Sequence, residues 1–264
     1  MALDKQYFLI IGNTRTGSTY LGTTLGCLPD VYFDYEIAPI LKLPKIKNRN
    51  RIHKYLNEIE NLRDLYNPFT KDYRVIGSKI MFASVRYKNT GGVFKRIDEL
   101  IDDDIKVIHL HRCYSEIMMS QLTPIGASSL PSGRIYKGLE YRKFFNSEKP
   151  LNELKRNLVV ESTGYKITSR LEQMYSHDLK IHELKRGREN NFMTIDYKDI
   201  PEKIYDIARF IGSNATDDEI KYNFNNPITK KIITIPYEEI FIDYNNVRNI
   251  CKNKDNERMK ILNE

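Results

Sequence analysis

The sequence predicts an α/β fold in which a parallel β-sheet is flanked by helices, and three observations predict it. A short apolar run near the N-terminus turns through two glycines into a helix. β-rich runs recur along the chain with helical stretches between them, and an arginine suited to anions stands where one of those runs ends.

Tyr7 to Ile11 is a continuous apolar run, the pattern of a strand buried on both faces, and Leu21, Leu25 and Leu28 follow at helical spacing behind the glycine turn. Val31 to Tyr35 is aromatic and reads as a second short strand. Lys42 to Arg51 is basic and polar and reads as loop. Ile52 to Leu65 carries Ile52, Leu56, Ile59 and Leu62 or Arg63 on one face, a surface helix.

Tyr73 to Met81 and Ile105 to Leu110 are two further β-rich runs. A helical segment from about Gly92 to Ile101 makes the crossover that parallel strands need. Ser115 to Leu122 is helical, and Leu151 to Arg186 is a long charged helical region, two helices if it breaks near Thr163 and Gly164. Phe192 to Ile195 is the last strand. Asp199 as N-cap, Pro201 near the first helical position and Ile204, Ile207, Ala208 and Ile211 define a helix that Gly212 ends. From Asn223 onward the chain is rich in Asn, Lys and Tyr and shows no clear period. No repeat or linker divides it, so a single domain over 1–264 is expected.

A net charge of +7, from 42 basic and 35 acidic residues, suits an anionic ligand and is too dispersed to imply nucleic acid. Cys27, Cys113 and Cys251 share no metal-ligand or CxxC spacing, which points away from a disulfide framework or zinc and toward a reducing compartment. With no apolar run long enough to span a membrane and no room for a signal peptide before Tyr7, the expectation is a soluble, cytoplasmic protein without a membrane anchor.

The N-terminal turn is a phosphate cradle without kinase chemistry. Aligned with GxxxxGK[ST], Gly12 and Gly17 fit, but Ser18 and Thr19 stand where a triphosphatase needs Lys and a magnesium-binding hydroxyl. The nearby cation is Arg15. A nucleotide or small-molecule kinase is the alternative reading, opposed by Ser18 and by a strand that ends in His111-Arg112 rather than in an aspartate. A basic RNA-binding module is a third, without any RNA-binding signature to support it.

Arg112 follows the strand that ends near Leu110, and Ser120 lies two helical turns on. In open α/β sheets that end of the strands is where ligands bind, so the fork of Arg112 and the hydroxyl of Ser120 could grip a second phosphate. A surface ion pair for Arg112 is the competing reading.

Together these motifs resemble the sulfotransferases that use 3′-phosphoadenosine-5′-phosphosulfate (PAPS), and the resemblance implies a P-loop-like sulfotransferase fold. Arg15-Thr16-Gly17-Ser18-Thr19 is similar to the family's 5′-phosphosulfate loop, and Arg112 and Ser120, eight apart, to its 3′-phosphate motif. The loop arginine is that of tyrosylprotein-type and many bacterial members. Lys79 matches the strand-borne lysine, but Met81 stands where cytosolic members carry a catalytic histidine.

Pro29-Asp-Val-Tyr-Phe-Asp-Tyr-Glu36 is similar instead to the tyrosylprotein-type segment that ends in a catalytic Glu. The resemblance therefore makes Glu36 the general base, with Asp34 as competitor, and Arg15 and Lys79 the cations that stabilise the leaving group. It implies PAPS as co-substrate without a metal, and an acceptor hydroxyl on a small molecule, carbohydrate or peptide. His109 and His111 read as packed or supporting residues. Thr194 to Asp199 resembles the family's later strand-to-helix segment, Thr229-Lys-Lys231 its closing basic loop, and Tyr165 is a candidate to stack on adenine.

Overall fold

The computed structural model describes residues 6–33, 73–82, 98, 105–122, 164–227, 237–240 and 244–262. In chain order the elements are β1 (Gln6–Asn13), α1 (Ser18–Leu25), β2 (Val31–Phe33), β3 (Val75–Phe82), β4 (Ile105–His111), α2 (Tyr114–Leu122), α3 (Gly164–Lys185), β5 (Phe192–Asp196), α4 (Ile200–Phe210), α5 (Asp217–Asn225), α6 (Tyr237–Ile240) and α7 (Tyr244–Leu262). The chain divides into two compact units, Met1–His111 with Lys180–Thr229, and Arg112–Leu179 with Lys230–Glu264. Among the described residues no helix is long and apolar enough to cross a membrane.

The first unit is built on a five-stranded parallel sheet in the order β2-β3-β1-β4-β5. β1 lies between β3 and β4, and Phe8, Leu9, Ile10 and Ile11 are wholly buried, which is why this run is apolar without alternation. Each such side chain stabilises the fold by about 1.5–3 kcal/mol. Alternate residues face opposite layers. Leu9 and Ile11 pack with Val107, Ile181 and Leu184 on one face, and Phe8 and Ile10 pack with Leu21, Leu25, Ile204 and Ile207 of α1 and α4 on the other.

The strands run one or two residues beyond the sequence expectation, to Asn13, Phe82, His111 and Asp196. Polar residues at the carboxyl ends stay in the ladder because the sheet buries their backbone. α4 begins and ends as anticipated, although Asp199 makes no side-chain cap bond. Its end is a Schellman motif, with Ser213 N donating to Ala208 O, Gly212 N to Arg209 O, and Gly212 at φ 85°.

In the second unit Tyr114, Ile117, Met118 and Met119 of α2 pack with Ile167, Leu171 and Met174 of α3 and Val247 and Cys251 of α7. The described part of α3 begins at Gly164, where the sequence suggested a break, and continues unbroken to Lys185. α6 and α7 lie in the region without a readable period. The expected helices at 52–65 and about 92–101 fall outside the described residues, apart from Asp98.

Candidate active site

The loop leaves the sheet with its first residue still tied to it, since Thr14 N donates to Phe82 O at 3.3 Å. Thr16 Oγ1 donates to Asn13 O at 3.0 Å and closes the turn. Arg15 at φ 72° and Gly17 at φ 93° both have left-handed backbone, with Thr16 of negative φ between them. Such alternation turns successive amides toward one side, the concave nest that receives anions.

Gly17 is required twice over, by its positive φ and by space. A Cβ there would lie 2.3 Å from ring carbons of Tyr197. Gly12 is required by close approach, because its Cβ would lie 2.3 Å from the Leu110 carbonyl oxygen of β4. Arg15 has no such licence. A left-handed non-glycine residue costs about 1–2 kcal/mol, so a side chain kept at that cost is a mark of use.

Gly17 is the N-cap of α1. No side chain caps it and the first turn holds no acidic residue, so the Ser18, Thr19 and Tyr20 amides present the positive end of the helix dipole to the loop. Ser18 and Thr16 are buried. The lysine missing from the loop is replaced from the sheet: Lys79, 6% exposed on β3, donates from Nζ to Thr19 Oγ1 at 2.7 Å. A buried ammonium, a strained arginine and a row of helix amides thus gather at one strand-to-helix turn. Such a group can hold a doubly charged phosphate or phosphosulfate.

Tyr197, at the carboxyl end of β5, was not singled out in the sequence as a site residue. It packs against Gly17, and its proximity adds to the burial that raises the Tyr20 hydroxyl pKa. Its place just after a strand end is the signal that could have found it. His109 and His111 are buried on β4, with rings 5.9 Å apart, and His111 Nδ1 lies 3.7 Å from Asp196 Oδ2. Both pack on the sheet face opposite α1, in keeping with a supporting role.

In the second unit Arg112 lies two residues before the start of α2 and is 11% exposed, with its Nε donating to Glu116 Oε2. Ser120 is buried one further turn along the same face. Arg112, Glu116 and Ser120 therefore form one stripe in which a half-exposed carboxylate sits between the two proposed phosphate ligands. Glu36, Asp34, Thr229, Lys230 and Lys231 lie outside the described residues, as does the side chain of Tyr165. Among the described residues no group of three or more His, Cys, Asp or Glu side chains could hold a metal ion.

No family model and no curated protein matches the chain. Among solved structures it is similar to a sulfotransferase from Alicyclobacillus acidocaldarius, at 14% identity over 80% of this chain and 82% of that one, TM-score 0.42. It is similar also to the sulfotransferase domain from the curacin biosynthetic pathway, at 12% identity over 89% and 82%, TM-score 0.46. A third similar structure is sulfotransferase STF9 from Mycobacterium avium, at 13% identity over 95% and 76%, TM-score 0.41.

Proposed function

We propose that the protein is a sulfotransferase that uses PAPS and transfers its sulfuryl group in line to a hydroxyl of a small molecule, carbohydrate or peptide. The observation that carries this reading is the contact of Lys79 Nζ with Thr19 Oγ1 at 2.7 Å. A triphosphatase loop supplies its own lysine toward a γ-phosphate; here Ser18 stands at that place and a strand supplies the cation from behind the helix start. Charge is thereby concentrated at one phosphate-sized position, as a single transferring group needs.

In this reading the acceptor oxygen bonds to sulfur while the bond from sulfur to the bridging phosphate oxygen breaks. Arg15, Lys79 and the amides of Gly17 to Thr19 stabilise the negative charge left on that oxygen. Glu36 accepts the proton of the acceptor hydroxyl. Arg112 and Ser120 hold the 3′-phosphate, which a nucleoside monophosphate lacks.

Adenosine 3′,5′-bisphosphate without metal, at about 100 times its Kd, should stabilise the protein by about 2.7 kcal/mol. ATP with magnesium should stabilise it less. The reverse order, with phosphate transfer from ATP, would establish the kinase reading instead. Glu36→Gln should keep bisphosphate binding and lower transfer from PAPS by about 10²-fold or more. Unchanged turnover removes Glu36 from the mechanism.

A further inference from the structure

Three consecutive residues of the turn into α2 are held by one helix. Arg258 Nη1 donates to the Arg112 carbonyl at 2.6 Å. The Cys113 thiol donates to Asp255 Oδ2 at 3.0 Å. The Tyr114 amide, first of α2, donates to Asp255 Oδ1 and Oδ2 at 2.9 and 3.2 Å.

The two holding residues are themselves locked. Asp255 and Arg258 lie one turn apart on α7 and pair at 3.0 Å. The Arg258 guanidinium stacks 4.3 Å over the Tyr114 ring, and the Tyr114 hydroxyl donates to Asp178 of α3 at 2.7 Å. Arg258 and Asp178 are each 3% exposed, their closest charged atoms 3.7 Å apart. Burial opposes the Arg258 charge, but Asp178, Tyr114 and Asp255 more than offset it and hold its pKa above the ordinary arginine value.

Helix-to-helix adhesion does not require this network. Burying charges is expensive, and apolar side chains of similar volume commonly join helices as well or better. What a polar network adds is position: it fixes the backbone of 112, 113 and 114 relative to α7, where an apolar contact would let the turn slide.

We propose that Asp255 and Arg258 are positioning residues that hold the Arg112 backbone so that its guanidinium is presented to a 3′-phosphate. The proposal rests on the reading of Arg112 as a phosphate ligand. Asp255 also occupies the first amide of α2, one of the groups that could otherwise meet an anion at this turn.

The test is the preference for adenosine 3′,5′-bisphosphate over adenosine 5′-monophosphate, by calorimetric titration of wild type, Arg112→Ala, Asp255→Asn, Arg258→Lys and each of the latter two combined with Arg112→Ala. Wild type should prefer the bisphosphate, and Asp255→Asn and Arg258→Lys should each lose about tenfold or more of that preference. Monophosphate affinity should stay within about twofold, and in the Arg112→Ala background neither substitution should change the preference further. Full preference retained in the folded variants overturns the positioning role. No preference in wild type, or full preference in Arg112→Ala, removes the phosphate reading of Arg112 itself.

Hydrogen exchange on wild type gives a second measurement should both variants fail to fold. The bisphosphate, and not the monophosphate, should slow exchange in 112–116 and 244–262 together. Unchanged exchange in 244–262 overturns the proposal.

Discussion

Arg15 offers a test in which two variants differ in stability and agree in chemistry. Arg15→Ala and Arg15→Gly both remove the guanidinium and whatever it contacts, so the difference between them isolates the backbone. At an ordinary position alanine is the more stable of the pair by about 0.4–1 kcal/mol, because glycine has more freedom to lose on folding. At φ 72° alanine bears a steric cost of about 1–2 kcal/mol that glycine does not.

Subtracting the midpoint of one effect from that of the other leaves Arg15→Gly more stable than Arg15→Ala by about 0.8 kcal/mol, within a range of about 0–1.6 kcal/mol. Urea denaturation followed by circular dichroism, at equal m-values, resolves a difference of that size. On the proposed reading both variants should lose about 10²–10³-fold in transfer, since each would remove the same donor to the leaving group. If alanine is the more stable, Arg15 is not held in the left-handed region and the nest is wrong. If transfer survives in either variant, the guanidinium is not a ligand of the reacting group.

Two other perturbations separate the parts of the site. Lys79→Met replaces a buried ammonium by an apolar side chain of similar length, so stability should fall by no more than about 3 kcal/mol, the loss of one charged hydrogen bond, while transfer falls about 10²-fold or more; a thermal melt and a turnover assay check the pair. Glu116→Gln removes the carboxylate that competes for Arg112, an exposed i,i+4 pair worth about 0.3–0.5 kcal/mol. Bisphosphate should then bind about twofold more tightly with monophosphate unaffected, as titration calorimetry would read.

Much of the first unit was legible because parallel strands buried on both faces read as largely apolar runs without alternation. β1, β3 and β4 were found from Tyr7, Tyr73 and Ile105 on that ground, with β3 beginning two residues later than expected, at Val75. Lys79 was assigned through the resemblance, although a physical signal was there to be read: a lysine inside such a run has no solvent to reach and must meet a polar partner, here Thr19.

α7 was not legible, and the cause is chemical. Among the side chains that link it to α2 and α3 are Val247, Cys251, Asp255 and Arg258, at helical spacings of four, four and three. Two of the four are charged, so a search for apolar period passes over the stripe. The same substitution of charge for carbon that hid the helix lets it grip the turn before α2. Glu36 owes its assignment to resemblance alone, because its segment lies outside the described residues.

The strand order has a consequence for how the chain matures on the ribosome. β1 is made first yet sits in the middle of the sheet, so it must wait for Val75–Phe82 on one side and Ile105–His111 on the other. Through that interval a short strand with an apolar centre, Phe8 to Ile11, has both hydrogen-bonding edges unpaired, the condition under which nascent chains pair with one another. The loop after β1 emerges early but gains its buried ammonium only when β3 arrives. On the proposed reading, anion recognition by this loop is therefore a late event in synthesis, and a fragment ending before Lys79 would carry the loop without its second cation.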